Sequence, residues 1–187
     1  MLNRRHTLLL LPALALAACS QGPVTDNEFM LGNDDVVRGA GDGVRTAALG
    51  AQRAFGDTSE WRGNPVAACF GTAQLEFLNR SFTTNPRFAG TVSFEALHNV
   101  REGQRTLRRA VGIPLSVPAP QLERDLRLAV RELSTGNRAA ADAHLAAYGP
   151  DLIGRLTSLP RLRQVEIAAG AAASEIVNTR GTGLGRF

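Results

Sequence analysis

The sequence predicts an all-α fold: a compact bundle of four to six mostly antiparallel helices behind an N-terminal leader and tether. Three observations carry that prediction. Apolar residues recur at steps of three and four through most of the chain. Helix-capping residues and Pro-Gly stops punctuate those stretches. Aromatic residues make up only 5% of the 187 residues, and Ala, Leu and Val carry most of the apolar content. A β-sandwich usually draws on aromatic and β-branched side chains instead.

The elements follow in order. Asp34 to Phe55 is ambiguous, because Gly39, Gly41 and Gly43 disfavour a helix at its start. Val44, Ala48, Ala51 and Phe55 nevertheless share one side of a helix. Asn64-Pro65 supplies an N-cap and a proline at the first helical position. Val66, Phe70, Ala73, Phe77 and Ser81 follow at helical spacing up to Asn85-Pro86. Ser93 caps the next helix, whose stripe is Phe94, Leu97, Val100, Gln104, Leu107 and Val111. Gly112 is its C-terminal glycine. After Pro118 to Pro120 comes the stripe Leu122, Leu126, Ala129, Val130 and Leu133, ending near Gly136.

Asn137 caps a shorter helix with Ala141, Leu145 and Tyr148, stopped by Gly149-Pro150. Asp151 to Leu159 holds one or two helical turns. The last helix is expected to begin near Ser158-Leu159-Pro160. Its seam Leu162, Val165, Ala169, Ala172 and Ile176 alternates steps of three and four. Ala168, Gly170, Ala171 and Ala173 make it narrow, so that a neighbour can approach closely. The predicted core is Phe70, Phe77, Phe94, Leu97, Leu107, Leu126, Leu133 and Leu162.

The N-terminus reads as an address. Arg4 and Arg5 precede an 11-residue apolar run, Leu8 to Ala18. A bilayer needs about 20 apolar residues, so this run matches a cleaved secretory signal rather than a span. It ends Leu16-Ala17-Ala18-Cys19, which resembles the lipobox of bacterial lipoprotein precursors. The resemblance implies removal of residues 1–18 and a lipid on Cys19, the first mature residue. Residues 19–33 then form an acylated tether, 34–179 the helical domain and 180–187 a flexible tail. The protein is expected to sit in the bacterial cell envelope, lipid-anchored, with its domain in the periplasm. By resemblance to envelope sorting, Ser20 after the anchor points to the outer membrane. Arg4-Arg5 also loosely resembles a twin-arginine signal, but His6-Thr7-Leu8 fits that pattern poorly.

Composition excludes whole classes of chemistry. All 21 basic residues are Arg; there is no Lys. That removes the Walker A lysine, Schiff-base lysines and Ser–Lys pairs. Loss of the leader takes Arg4 and Arg5 and lowers the net charge from +4 to +2, from 19 Arg against 17 acids. No basic stripe with interleaved aromatics is left, so nucleic acid is not an expected partner. Neither Gly39-Ala40-Gly41 nor Gly181-Thr182-Gly183 completes a G-x-G-x-x-G, and no cofactor site is recognised.

The remaining constellations each have a structural and a chemical reading. Glu95-Ala96-Leu97-His98 is E-x-x-H, half of a di-iron motif; no second copy exists, so a solvated helix face is expected and no metal site. His144 is expected to be partly buried, and Cys69 to be a small buried hydrophobe. Arg105, Arg108 and Arg109 read as a solvated cluster opposite the Leu107–Val111 seam. Trp61 and Arg62 are the possible partner contact, as an exposed anchor. The alternative for Trp61 is a staple packed on the helix that follows. No catalytic residue is assigned. The expected function is a non-enzymatic structural or protein-interaction module with an envelope protein as partner. A carrier of a small apolar ligand, or an enzyme whose site assembles only in three dimensions, are the alternatives.

Overall fold

The structure is a computed structural model that describes residues 43–182, with side chains to 178. The expected signal peptide and tether, Cys19, residues 34–42 and the residues beyond 182 lie outside the described residues. Among the described residues, eight helices form the fold. They are α1 (Gly43–Leu49), α2 (Ala51–Phe55), α3 (Pro65–Thr84), α4 (Phe94–Ala110), α5 (Ala119–Ser134), α6 (Arg138–Leu145), α7 (Leu152–Thr157) and α8 (Arg163–Thr182). Two 3₁₀ turns, Thr58–Trp61 and Ala146–Tyr148, complete it. The bundle is all-helical as expected, with more pieces: four long helices and four of five to eight residues.

Local chemistry sets the boundaries. The Asn64 side chain accepts from the Ala67 N–H at 3.0 Å, Ser93 from Ala96 at 3.2 Å and Asn137 from Ala140 at 3.2 Å. Each satisfies one of the unpaired donors of a first helical turn. α4 ends in a Schellman motif: Gly112 sits at φ +70°, and the Ile113 N–H reaches back to the Arg108 carbonyl at 2.8 Å. α5 ends the same way at Gly136, with Asn137 bonded to the Glu132 carbonyl at 2.9 Å. Asn137 thus closes one helix with its backbone and opens the next with its side chain. α1 and α2 are one helical stretch broken at Gly50, and Val44, Ala48, Ala51 and Phe55 are all buried.

α3 is the central helix and is buried on nearly every side. Ala68, Cys69, Thr72, Ala73, Leu75, Glu76, Phe77, Leu78, Ser81 and Phe82 are all inaccessible or nearly so. α5 packs on it most extensively, and α4, α2 and α7 pack on its other sides. A helix in that position has no solvent face, so the single stripe read from sequence undercounts it. α8 packs against α4 and crosses α1 and α2. α4 and α8 meet closely at Gly103, where a Cβ would collide with that of Ala168 and lie 3.1 Å from the Gln164 carbonyl.

Five predicted core residues are corrected. Phe94 is 84% exposed, and Leu97, Leu133 and Leu162 are only half-buried. The buried face of α4 centres on Ala96, Val100, Gly103 and Leu107. At 100° per residue Phe94 lies about 120° from Val100, on the flank. Phe70 is half-buried, whereas Phe77, Leu107 and Leu126 are core as expected. α8 also starts later than predicted. The Thr58 hydroxyl donates to the Pro160 carbonyl at 2.5 Å and accepts from the Leu162 N–H at 3.0 Å. That bridge holds 159–162 out of the helix.

Candidate functional site

Trp61 is not an exposed anchor. It is 3% exposed, its indole N–H donates to the Ala54 carbonyl at 3.2 Å, and its ring lies over Gly71 of α3. The packed reading of this residue holds: a large ring with its one donor satisfied is a core piece. Arg62 alone of that pair reaches solvent. Cys69 is fully buried, and burial pushes its thiol up to about 12. His144 is half-buried.

The arginine cluster is not uniform. Arg105 is exposed and pairs with Glu102 at 2.9 Å, one turn earlier. Arg109 is exposed. Arg108, expected on the solvated face, is 2% exposed and enters the core. Its Nε and Nη2 donate to the two carboxylate oxygens of Glu76, each at 2.7 Å. Gln104 donates to the same carboxylate at 2.7 Å, and Arg108 Nη1 donates to the Val117 carbonyl at 2.7 Å. The reason is register: Arg108 stands one turn after Gln104 and shares its side of α4. A second buried acid, Glu123 of α5, accepts from Arg80 at 3.3 Å and Arg127 at 3.1 Å. Both guanidinium groups also lie over the Phe77 ring, at 5.4 and 5.7 Å. Burial drives the Glu123 carboxyl upward, and the two arginines oppose that shift. These networks tie α3 to α4 and α5. Their donors and acceptors are spent on each other, so they serve the fold.

The open chemistry lies on the other side of α4. Ser93, Glu95, Ala96 and Asn99 of α4 and its cap face Ile167, Gly170, Ala171, Ser174, Glu175 and Asn178 of α8 across a groove of about 360 Å³. Its end is fixed by Glu175, whose carboxylate accepts from the Ser93 backbone at 3.0 Å and from its hydroxyl at 2.6 Å. An acid at a helix N-terminus is stabilised by the dipole and the unpaired N–H groups there. A second concavity of about 550 Å³ lies against Arg161, Arg163, Glu166 and Ile167. Ile167 borders both.

Ile167, which borders both concavities, is 38% exposed; elsewhere on the same two helices Phe94 and Val177 are 84% and 56% exposed. The Phe94 ring stacks on His98, with centroids 6.0 Å apart. Glu95 and His98 of the E-x-x-H are both exposed, and among the described residues no three His, Cys, Asp or Glu side chains converge on a point that could hold a metal ion. Nor, among the described residues, is any helix long and apolar enough to cross a membrane. Sequence reading found the small residues of α8 but assigned Phe94 to the core. The clue to its exposure was its offset from Ala96, Val100 and Leu107. No family model, curated protein or solved structure matches the chain.

Proposed function

We propose that the chain is a lipid-anchored cell-envelope protein whose helical domain is a protein-interaction module, with the α4–α8 face as its docking surface. The anchor reading rests on Leu16-Ala17-Ala18-Cys19 behind Arg4-Arg5 and the apolar run. Lipidation contributes about 0.8 kcal/mol of membrane affinity for each buried CH₂, so more than one acyl chain holds a protein durably. The observation that carries the docking reading is Ile167, a 38% exposed apolar side chain that borders both concavities of the α4–α8 face. Exposed apolar area bordering a concave surface marks protein-interaction sites.

Two measurements test it. Replacing Cys19 with Ala abolishes labelling by a radioactive fatty acid and moves the protein from the membrane to the soluble fraction. Continued membrane association with unchanged labelling refutes the anchor. A photo-crosslinking amino acid at position 167 gives a discrete crosslinked band, and one at exposed Arg124 of α5 does not. Equal or absent crosslinking at both positions refutes the docking face.

A further inference from the structure

We infer that the occupant of the α4–α8 face is a second copy of this chain, docked antiparallel about a two-fold axis near Gly170. This inference rests on the reading of that face as a docking surface. The face has a pattern that is its own complement. From Ile167 to Ser174, α8 carries no charged side chain. Ala171 and Ser174 project little from its outward side, so another helix can come close there, while the Gln52 amide of α2 lies against Gly170. Ile167 and Val177 supply exposed apolar area there.

Charge stands only at the two ends. Arg163 borders one concavity and Glu95 the other. Both are exposed, and neither forms an ion pair among the described residues. The neighbouring charges are engaged: Arg161 pairs with Glu166 at 2.5 Å and with Asp57 at 3.5 Å, and Glu175 holds Ser93. Arg163 and the Glu175–Ser93 contact beside Glu95 are twelve residues of α8 apart, roughly 18 Å at 1.5 Å rise per residue. A copy reversed about Gly170 therefore sets each free Arg163 against the other's free Glu95. An isologous contact repeats that pair, so both ends are satisfied at once.

The test is a charge exchange in the full-length chain, purified in detergent, with mass followed by light scattering across concentration. The parent chain is expected to pass from monomer to dimer as concentration rises. Glu95→Arg alone and Arg163→Glu alone each raise the dissociation constant about tenfold or more, because like charges then meet twice. Glu95→Arg with Arg163→Glu restores dimerisation, since the pair is merely reversed. Far-UV circular dichroism checks that the exposed substitutions leave the helices intact. A parent chain that stays monomeric overturns the inference, as does a dimer indifferent to the single substitutions or a double variant no better than either single one. If the parent is monomeric while the position 167 crosslinker captures a different protein, the docking face survives and self-association does not.

Discussion

Replacing Arg108 with Met should be among the most damaging single changes available in this chain. Glu76 is 1% exposed, and its carboxylate accepts three bonds of 2.7 Å, two from Arg108 and one from Gln104. Without the guanidinium a buried negative charge keeps a single amide donor. Breaking a buried pair from one side costs about 3–5 kcal/mol. The Val117 carbonyl, bonded to Arg108 at 2.7 Å, loses its partner as well, adding about 1 kcal/mol. A loss of about 4–6 kcal/mol corresponds to a fall in Tm of roughly 10–20 °C for a domain of this size. The assay is thermal and urea unfolding of the full chain, followed by circular dichroism and Trp61 fluorescence. Glu76→Met should cost nearly as much alone. The double variant should cost far less than the sum, with a coupling of about 2 kcal/mol or more, because no lone buried charge is left. Additive costs, or a loss below about 1 kcal/mol for Arg108→Met, would refute the reasoning.

Three other outcomes are expected. Gly71→Ala places a Cβ against the Ala54 carbonyl and 2.6 Å from Trp61 Cζ2; overpacking of about 1–3 kcal/mol exceeds the helix-propensity gain of about 1 kcal/mol, so the Tm falls and Trp61 emission shifts to longer wavelength. A stability equal to the parent's would show that α2 yields freely. Phe94→Ser should change stability by no more than about 0.5 kcal/mol, since the ring is 84% exposed, and a core-sized loss in urea unfolding would contradict the position of α4. The Cys69 thiol holds its proton more tightly folded, at about 12, than at its ordinary value of 9.0. Its contribution to stability is therefore complete below pH 9 and declines as pH rises from 9 toward 12. Cys69→Ala should flatten that alkaline decline in unfolding free energy, and an unchanged slope would count against it.

Helix ends were the most legible part of this sequence, because caps act within a few residues. Asn64, Ser93, Asn137, Gly112 and Gly136 all do locally what their spacing announces. The late start of α8 was not legible, since it depends on a hydroxyl 102 residues earlier in the chain. Charge misled for a similar reason. Glu76 and Arg80 stand four apart, the spacing of an ordinary surface pair, yet Arg80 goes to Glu123 on α5 while Glu76 turns to Arg108 on α4. Three-dimensional packing decides which arginine meets which acid. The Gln104–Arg108 step did carry a trace of it, since a residue one turn after a seam position shares the seam. The candidate groove was half visible: the small residues of α8 marked close packing, which Ala168 realises against Gly103, but not which of them stay open to solvent. The readings of residues 1–42 stand on sequence alone.

The Thr58 bridge to Pro160 and Leu162 carries a consequence for the order of assembly. Made from its N-terminus, the chain presents α3 early, and α4 and α5 can pack on it as each is completed. α1, α2 and α4 also pack on α3, but their remaining cover comes from α8, the last helix among the described residues. A chain halted before Arg163 would leave part of the Val44, Phe55, Val100 and Leu107 layer without its cover. Long-range closures of this kind slow folding relative to local ones. The half-made protein is therefore a sticky intermediate whose final helix serves as its clasp.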